Sequence, residues 1–182
     1  MNKDGFIDER DETFIGYSDI PENTFALTLG ANYKGWGFSV MFQGVDHVSR
    51  YYDAEAMFAF VGGGKVKEHH LDRWNPAVSE AENLARAKYP LLHYDSYGDH
   101  NQRGNSFFLK NGAFVRLKNI ELSYTLPQNW IKVVGMSDCR LYVNANNLIT
   151  WDHLDDLTDP ESNGSNRYPI MKTVNFGVNI KF

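Results

Sequence analysis

The last ten residues of the chain alternate strictly between apolar side chains and polar side chains or glycine. The apolar side chains take the even positions, Val174, Phe176, Val178, Ile180 and Phe182. Successive side chains of a β-strand point to opposite sides, so a period of two residues indicates a strand with one apolar and one polar face. The sequence therefore predicts a strand over 173–182.

The same alternation recurs in four other segments, 24–33, 36–45, 113–126 and 139–150. Only Lys34 and Gly35 separate the first two segments, which predicts a tight β-hairpin within 23–45. In 113–126 the apolar phase slips by one residue near Lys118 and Asn119, which predicts a β-bulge.

The connections between these strands are strongly unequal in length. The links at 34–35 and 127–138 are short, whereas 46–112 and 151–172 are long and rich in His, Asp, Asn, Gly and Tyr. Strands of a soluble sandwich are commonly joined by about 2–6 residues. Short turns that alternate with long polar loops are typical of outer-membrane barrels, whose strands need roughly ten residues to cross the apolar band. The pattern predicts an antiparallel, all-β transmembrane barrel segment with long extracellular loops.

This interpretation divides the chain into four regions. An extracellular loop over 1–22 precedes the hairpin, a second one spans 46–112, and three strands follow within 113–182. Bacterial single-chain barrels have even strand numbers from eight upward, and five strands cannot close without an unpaired edge. We therefore expect the chain to be a fragment of a larger barrel. A soluble all-β carbohydrate-binding module remains the alternative, and it would bury its apolar strand faces against a second layer.

Composition excludes several other classes of protein. The formal charge of −5, without any Lys/Arg cluster, argues against a nucleic-acid partner. The single Cys139 excludes an internal disulfide framework and a thiolate zinc site. No apolar run reaches 18 residues, so a transmembrane helix is excluded. A mean hydropathy of −0.47 agrees with a barrel, since half of each strand faces water.

Three blocks of residues resemble a known family, the SusC/RagA-type TonB-linked outer-membrane proteins. The block 111–127, NGAFVRLKNIELSYTLP, is similar to the family signature NGxFLRLKNLTLGYTLP. The block 141–151 resembles the family's next strand, and Tyr168-Pro169 with 173–182 resembles its closing strand. Residues 4–45 are similar to the block that precedes these strands.

The resemblance implies a function in nutrient import rather than catalysis. Family members are plugged barrels of about 22 strands that import glycans or peptides across the outer membrane of Bacteroidetes-type bacteria. They work with a SusD-like surface lipoprotein and with TonB, which is reached through an N-terminal plug that we expect to lie outside these 182 residues. The chain therefore corresponds to the C-terminal part of such a TonB-dependent receptor. Its final aromatic, Phe182, resembles the signal that the barrel-assembly machinery reads before insertion into outer-membrane lipid.

The N-terminus resembles the second half of a calcium-binding loop, and no other cofactor is predicted. Asn2, Asp4 and Asp11 would supply side-chain oxygens and Phe6 its backbone carbonyl, while Gly5 makes the sharp turn. The first ligand position of such a loop would precede Met1. The alternative is a solvated acidic turn.

Ligand contacts are expected from the aromatic residues of 46–112. Trp74, Tyr89, Tyr94 and Tyr97 could stack on sugars or contact a lid partner; alternatively, the loop packs over the barrel mouth.

The acidic residues of 151–172 and the six histidines suggest no catalytic or metal site. Asp155-Asp156, Asp159 and Glu161 lie among Pro, Ser, Asn and Gly, and we expect them on an exposed extracellular loop. The histidines lack helical i, i+4 spacing and are interpreted as ordinary loop residues.

Overall fold

The computed structural model describes residues 5, 8–52, 58–60, 65–92, 104–154, 158–162, 168 and 170–182. Its strands are β1 (Asn23–Tyr33), β2 (Trp36–Asp46), β3 (Ser49–Tyr51), β4 (Leu109–Asn111), β5 (Phe114–Thr125), β6 (Asp138–Asp152) and β7 (Thr173–Lys181). Five of them form one antiparallel sheet in the order β1-β2-β5-β6-β7, and β3 pairs with β4 in a separate ribbon. The five strands predicted from alternation are confirmed, and each end differs from its prediction by at most two residues.

Short helices occupy the connections. The α-helices are α1 (Glu80–Arg86) and α2 (Gln128–Ile131), and 3-10 turns lie at Glu9–Asp11, Glu68–Asp72 and Lys132–Val134. Together with β3 and β4, α1 and the second 3-10 turn show that 46–112 contains regular structure within the predicted loop. No helix in the described parts of the chain is long and apolar enough to span a bilayer.

The predicted hairpin between β1 and β2 closes through a two-residue turn. Lys34 and Gly35 both have positive φ, at 47° and 86°. Two consecutive positive φ values match the right-handed twist of the flanking strands, and glycine adopts them without a steric penalty. A Cβ on Gly35 would also lie 2.9 Å from the carbonyl oxygen of Thr125, so the position is closed to larger residues.

The predicted β-bulge is confirmed at Lys118. Across β2 and β5, Met41 pairs with Asn119 but Phe42 pairs with Leu117, so Lys118 has no opposite residue. The neighbouring strand β6 compensates for the extra residue, because its pairing with β5 jumps from Ile149 to Asn146. Such a bulge lets two consecutive residues share one side of a strand.

One side of the five-stranded sheet is apolar across its whole width, and we call it the apolar face. The strand register places its members in adjacent rows, Phe25, Leu27, Leu29, Tyr33, Trp36, Phe38, Val40, Phe42, Val115, Leu117, Ile120, Leu122, Tyr124, Leu141, Val143, Ala145, Ile149, Trp151, Val174, Phe176 and Val178. The opposite side, the polar face, carries Thr28, Gln43, Arg116, Asn119, Glu121, Ser123, Arg140, Asn144, Asn146, Thr150, Thr173 and Asn175.

Most of the apolar face is open to solvent. Phe176 is 83% exposed and Leu27 is 54% exposed. Only central members such as Val40, Leu117 and Ala145 are buried between their neighbours. No segment among the described residues forms a second layer over this face, which is the layer that a soluble module would need.

Two clusters of buried hydrophobic residues lie at one end of the sheet, apart from the buried central members of the apolar face. Tyr52, Phe108 and Leu154 form one cluster, and Val45, Val48 and Phe114 form another. All of these residues belong to the long connections or to the strand ends that meet them. This end therefore has tertiary structure of its own.

Candidate functional site

The two ends of the sheet differ in what connects the strands. At the turn end, Lys34-Gly35 joins β1 to β2 and residues 126–137 join β5 to β6. At the loop end, the long connections 47–113 and 153–172 leave and re-enter the strands. The polar face and the loop end together form the candidate functional site.

Side-chain amides make a hydrogen-bonded chain across the middle of the polar face. Asn119 Nδ2 donates to Asn146 Oδ1 at 2.9 Å, and Asn146 Nδ2 donates to Thr173 Oγ1 at 3.2 Å. In the next row, Asn175 Nδ2 donates to Asn144 Oδ1 at 2.9 Å. An amide has two donors and two acceptor lone pairs, so each of these groups keeps hydrogen-bonding capacity for water or a polar solute.

Nearer the turn end, the polar face carries a partly exposed ion pair. Arg140 Nη2 bonds to Glu121 Oε1 and also donates to Ser123 Oγ at 3.1 Å. The Arg140 guanidinium lies 5.6 Å from the centre of the Tyr142 ring, close enough for a cation–π contact. All of these residues belong to strands β5 and β6.

Nearer the loop end, β5 presents two cations that bind a loop segment. Arg116 Nη2 lies 2.8 Å from Asp159 Oδ1, and Arg116 Nη1 lies 2.9 Å from Glu161 Oε2. Lys118 Nζ reaches the same Glu161 oxygen at 3.0 Å. The side chain of Arg116 is 1% exposed, and those of Asp159 and Glu161 are 12% and 17% exposed.

The prediction that Asp159 and Glu161 lie on an exposed loop is therefore wrong. The loop folds back over the polar face, where Arg116 and Lys118, two residues apart in β5 and therefore on the same side of the strand, bind its carboxylates. Carboxylates that meet such a pair gain charge-assisted hydrogen bonds that offset their loss of hydration. Asp155 and Asp156 lie outside the described residues.

A second arginine ties three separate segments together at the loop end. Arg50 Nη1 donates to the carbonyl of Asp19 at 2.7 Å, and its Nη2 donates to the carbonyl of Pro160 at 3.3 Å. Nearby, the backbone N–H of Tyr17 donates to Ser49 Oγ at 2.8 Å. The segments that precede β1 and follow β6 are thus both fastened to β3.

The predicted ligand-contact residues fall into two groups. Tyr89 is half-buried and packs against the cluster around Phe108, with its ring centroid 6.4 Å from that of Phe107. The backbone N–H of Trp74 donates to the carbonyl of Tyr89 at 2.8 Å. Tyr94 and Tyr97 lie outside the described residues. A role in ligand or lid contact stays a prediction for all four.

Only one of the predicted calcium ligands falls within the described residues. Asp11 ends the 3-10 turn Glu9–Asp11, and its Oδ2 accepts from the backbone N–H of Asp8 at 3.3 Å. The side-chain hydrogen bond from Arg10 lowers the pKa of the Asp8 carboxyl below its ordinary value. Asn2, Asp4 and Phe6 lie outside the described residues, so calcium binding stays a prediction.

The His, Cys, Asp and Glu side chains of the described residues were compared with the arrangements that bind metal ions. Within those residues, no group of three His, Cys, Asp or Glu side chains is arranged to hold a metal ion. His69 and His70 lie side by side, with ring centroids 4.0 Å apart, and His70 is buried.

Sequence reasoning missed the residues that organise the loop end. Arg50, Arg116 and Lys118 were assigned no role, although Arg116 and Lys118 are the two basic residues of a strand in an acidic chain. The sequence signal for this cluster is the spacing of those two charges, which places both on one side of the strand. Phe182, the predicted assembly signal, follows β7 and is exposed.

The chain is similar to two curated proteins over its whole length. It is 27% identical over 199 residues to TonB-dependent receptor P26 of Formosa agariphila and 25% identical over 200 residues to TonB-dependent receptor P3 of the same organism. It spans 19% and 18% of the length of these relatives. No protein-family profile matches the chain.

Solved structures share the fold. The RagAB peptide importer in its open-open state superposes with a TM-score of 0.70 at 24% sequence identity, covering 97% of this chain and 19% of that chain. The closed-closed state gives a TM-score of 0.71 with the same coverage. The two-faced antiparallel sheet is therefore of the kind that forms a β-barrel wall. The resemblance to SusC/RagA-like TonB-dependent receptors, predicted from residues 111–127 and the later blocks, is confirmed.

Proposed function

We propose that this chain forms part of the barrel wall and outer loops of a TonB-dependent importer in the outer membrane of a Bacteroidetes-type bacterium. The observation that carries the proposal is the apolar face, which continues across all five strands and is largely exposed. The matches to TonB-dependent receptors and to the RagAB fold support the same assignment.

The two faces suit the two surroundings of a barrel wall. Leu, Val, Ile and Phe side chains of the apolar face lose contact with water when acyl chains cover them, at about 25 cal/mol per Å² of apolar area. Inside the sheet, neighbouring strands satisfy the backbone polar groups, as a bilayer requires. The amides and charges of the polar face remain in contact with the aqueous interior.

The orientation follows from the connections. Outer-membrane barrels have short periplasmic turns and longer extracellular loops. We therefore place the turn end, with Lys34-Gly35 and Phe182, at the periplasmic rim and the loop end outside the cell. Tyr33, Trp36 and Tyr124 share one row near the turn end, at the level expected for an aromatic girdle.

The chain's role in import is passive. The amide chain through Asn119 and Asn146 offers exchangeable hydrogen bonds to water and polar solutes along the path. Four charged groups of the polar face, Arg116, Lys118, Glu121 and Arg140, are engaged in ion pairs, and these stabilise the wall. Chemical conversion of the cargo has no part in this function.

The partners and cargo complete the proposal. A SusD-like surface lipoprotein would cover the loop end, and TonB would act through a plug domain elsewhere in the protein. The barrel-assembly machinery would recognise the region of Phe182 during insertion. The cargo would be a glycan or a peptide. RagAB, whose solved structures share the fold, is a peptide importer.

Alternating cysteine accessibility along β7 tests the proposal. In a Cys139→Ser background, Phe176→Cys and Val178→Cys place thiols on the apolar face, whereas Asn175→Cys and Asn179→Cys place thiols on the polar side of the same strand. In outer-membrane vesicles that contain the full-length protein, a water-soluble maleimide is expected to modify the Asn175 and Asn179 positions at least tenfold faster.

The matched control is the same labelling after transfer to urea, where the four positions should react at similar rates. Equal labelling of all four positions in intact vesicles, or recovery of the protein outside the outer-membrane fraction, would refute the assignment.

A further inference from the structure

Residues 158–162, which we call the strap, form a compact turn organised by Asp159. The Oδ1 of Asp159 accepts from the backbone N–H of Glu161 at 2.9 Å. The backbone carbonyl of Asp159 accepts from the backbone N–H of Ser162, also at 2.9 Å. The carboxylate thus shapes the strap while its outer lone pairs bind Arg116.

The anchor of the strap lies within the sheet rather than at its edge. Both carboxylate oxygens of Asp159 lie 2.8 Å from Nη2 of Arg116. Arg116 is on the polar face, two residues inside β5, in register with Gln43 and Thr150. To reach it, the strap has to fold inward over the polar face.

Two further cations bind the strap. Lys118 Nζ binds both oxygens of Glu161 at 3.0 Å, and Arg50 donates to the carbonyl of Pro160 at 3.3 Å. Pro160 is itself buried. Three cations from two strands therefore fix this five-residue stretch at its middle.

The charges stabilise the strap in its position over the polar face. The charges of Arg116 and Lys118 balance those of Asp159 and Glu161, while Arg50 binds a backbone carbonyl of the strap. Arg116 is 1% exposed, and its Nε is buried without a hydrogen-bond partner among the described residues. A buried cation that loses its carboxylates is strongly destabilised, so release of the strap is costly unless water or another anion replaces them.

We propose that the strap is an inward-folded constriction of the transport path, held in place by Arg116 as its positioning residue. The inference rests on the proposed function, because the strap narrows a path only if the polar face lines one. It assigns to Asp159 and Glu161 the role of docking a loop against the wall. Loss of Arg116 would let the strap swing away and widen the path beside β5 and β6.

Two cysteine reporters test the strap in the full-length protein, again in a Cys139→Ser background. Ser162→Cys reports on the strap, and Thr150→Cys reports on the wall beside Arg116. With native Arg116, a small thiosulfonate should reach Thr150→Cys and a bulky polyethylene-glycol maleimide should not. In Arg116→Gln, the bulky reagent should react at least fivefold faster at both positions.

Arg140→Gln is the matched control, because it removes a guanidinium on the same face that contacts no strap residue in the described structure. It should leave both labelling rates within twofold of the native values. Arg116→Lys keeps the positive charge and should restore at least part of the protection. The heat-dependent electrophoretic mobility of a folded barrel checks that each variant is assembled.

The outcomes separate this inference from the proposed function. If the variants are assembled in the outer membrane and Arg116→Gln leaves the bulky reagent excluded, the strap proposal is wrong and the wall assignment stands. The strap proposal is also wrong if Arg140→Gln opens the path as much as Arg116→Gln. If the protein shows neither outer-membrane location nor heat-dependent mobility, the proposed function itself fails.

Discussion

At the turn end of the sheet the chain reverses through two residues, whereas at the loop end segments far apart in sequence meet over β5. The turn at Lys34 and Gly35 depends mainly on a local requirement, positive φ at two consecutive residues. Arg116 needs partners 43 and 45 residues away, and Arg50 needs one 110 residues away. The turn end is therefore organised mainly by local backbone conformation, and the loop end by electrostatic contacts between distant segments.

The turn end and the loop end also differ in how they contribute to the free energy of folding. A tight turn costs little once its residues can adopt the required dihedral angles. A buried ion cluster must offset the desolvation of every charge, so its stability depends on all members being present. The loop end should therefore respond more strongly than the turn end to the loss of a single side chain, provided that the turn glycine is kept.

The largest effect is expected from Arg116→Gln. Removing one partner of a buried ion pair costs about 3–5 kcal/mol, and here the cost falls on docking of the strap. The backbone amides of Glu161 and Ser162 should exchange with solvent much faster, because both are bonded to Asp159. Hydrogen exchange by mass spectrometry on the full-length protein measures this. Unchanged protection of that segment would contradict the importance of the cluster.

A smaller effect is expected at the turn end from Gly35→Val. A β-branched residue at φ 86° carries a backbone penalty of order 1–3 kcal/mol, and its Cβ would crowd the Thr125 carbonyl. The β1–β2 hairpin should form more slowly and unfold at lower urea concentration in a detergent or vesicle refolding assay. Gly35→Asn is the control, since Asn tolerates positive φ better. Equal losses for Val and Asn would indicate crowding rather than strain.

The smallest effect is expected from Arg140→Gln, at the ion pair nearer the turn end. The side chains of Arg140 and Glu121 are 37% and 25% exposed, so water already screens their attraction. Pairs of this kind contribute about 0–1 kcal/mol. The urea midpoint of the full-length protein should shift little, and raising the salt concentration should reduce even that shift. If Arg140→Gln destabilised the protein as much as Arg116→Gln, the Arg140–Glu121 pair and the Arg116 cluster would not differ in the way proposed here.

Much of the fold could be predicted because its determinants are local. The alternation of Val174, Phe176 and Val178 reports directly on the two faces of β7, and the phase slip at Lys118 reports on a bulge. The register between strands was not predictable in this way. It depends on which rows pair across connections as long as 47–113, and the bulges shift it by one residue or more.

The loop end could not be predicted because its contacts join distant segments. Asp159 and Glu161 sit in a Pro-, Ser- and Asn-rich stretch that resembles a solvated loop, and local sequence gives no sign of a buried partner. Tyr89 was predicted as a contact residue from its type, which stays a prediction, and only the structure shows that its ring packs beside Phe107 and Phe108. Residue type indicates which contacts a side chain can make, and tertiary packing determines which of them it makes.

The sequence by itself determined that this chain makes amphipathic antiparallel strands, with an apolar face that suits acyl chains and a polar face that suits water. The reason is that strand periodicity is a property of consecutive residues. Only the tertiary structure decided that the segment 158–162 lies over the polar face, since that placement depends on charges of β3 and β5 becoming neighbours of a loop far along the chain.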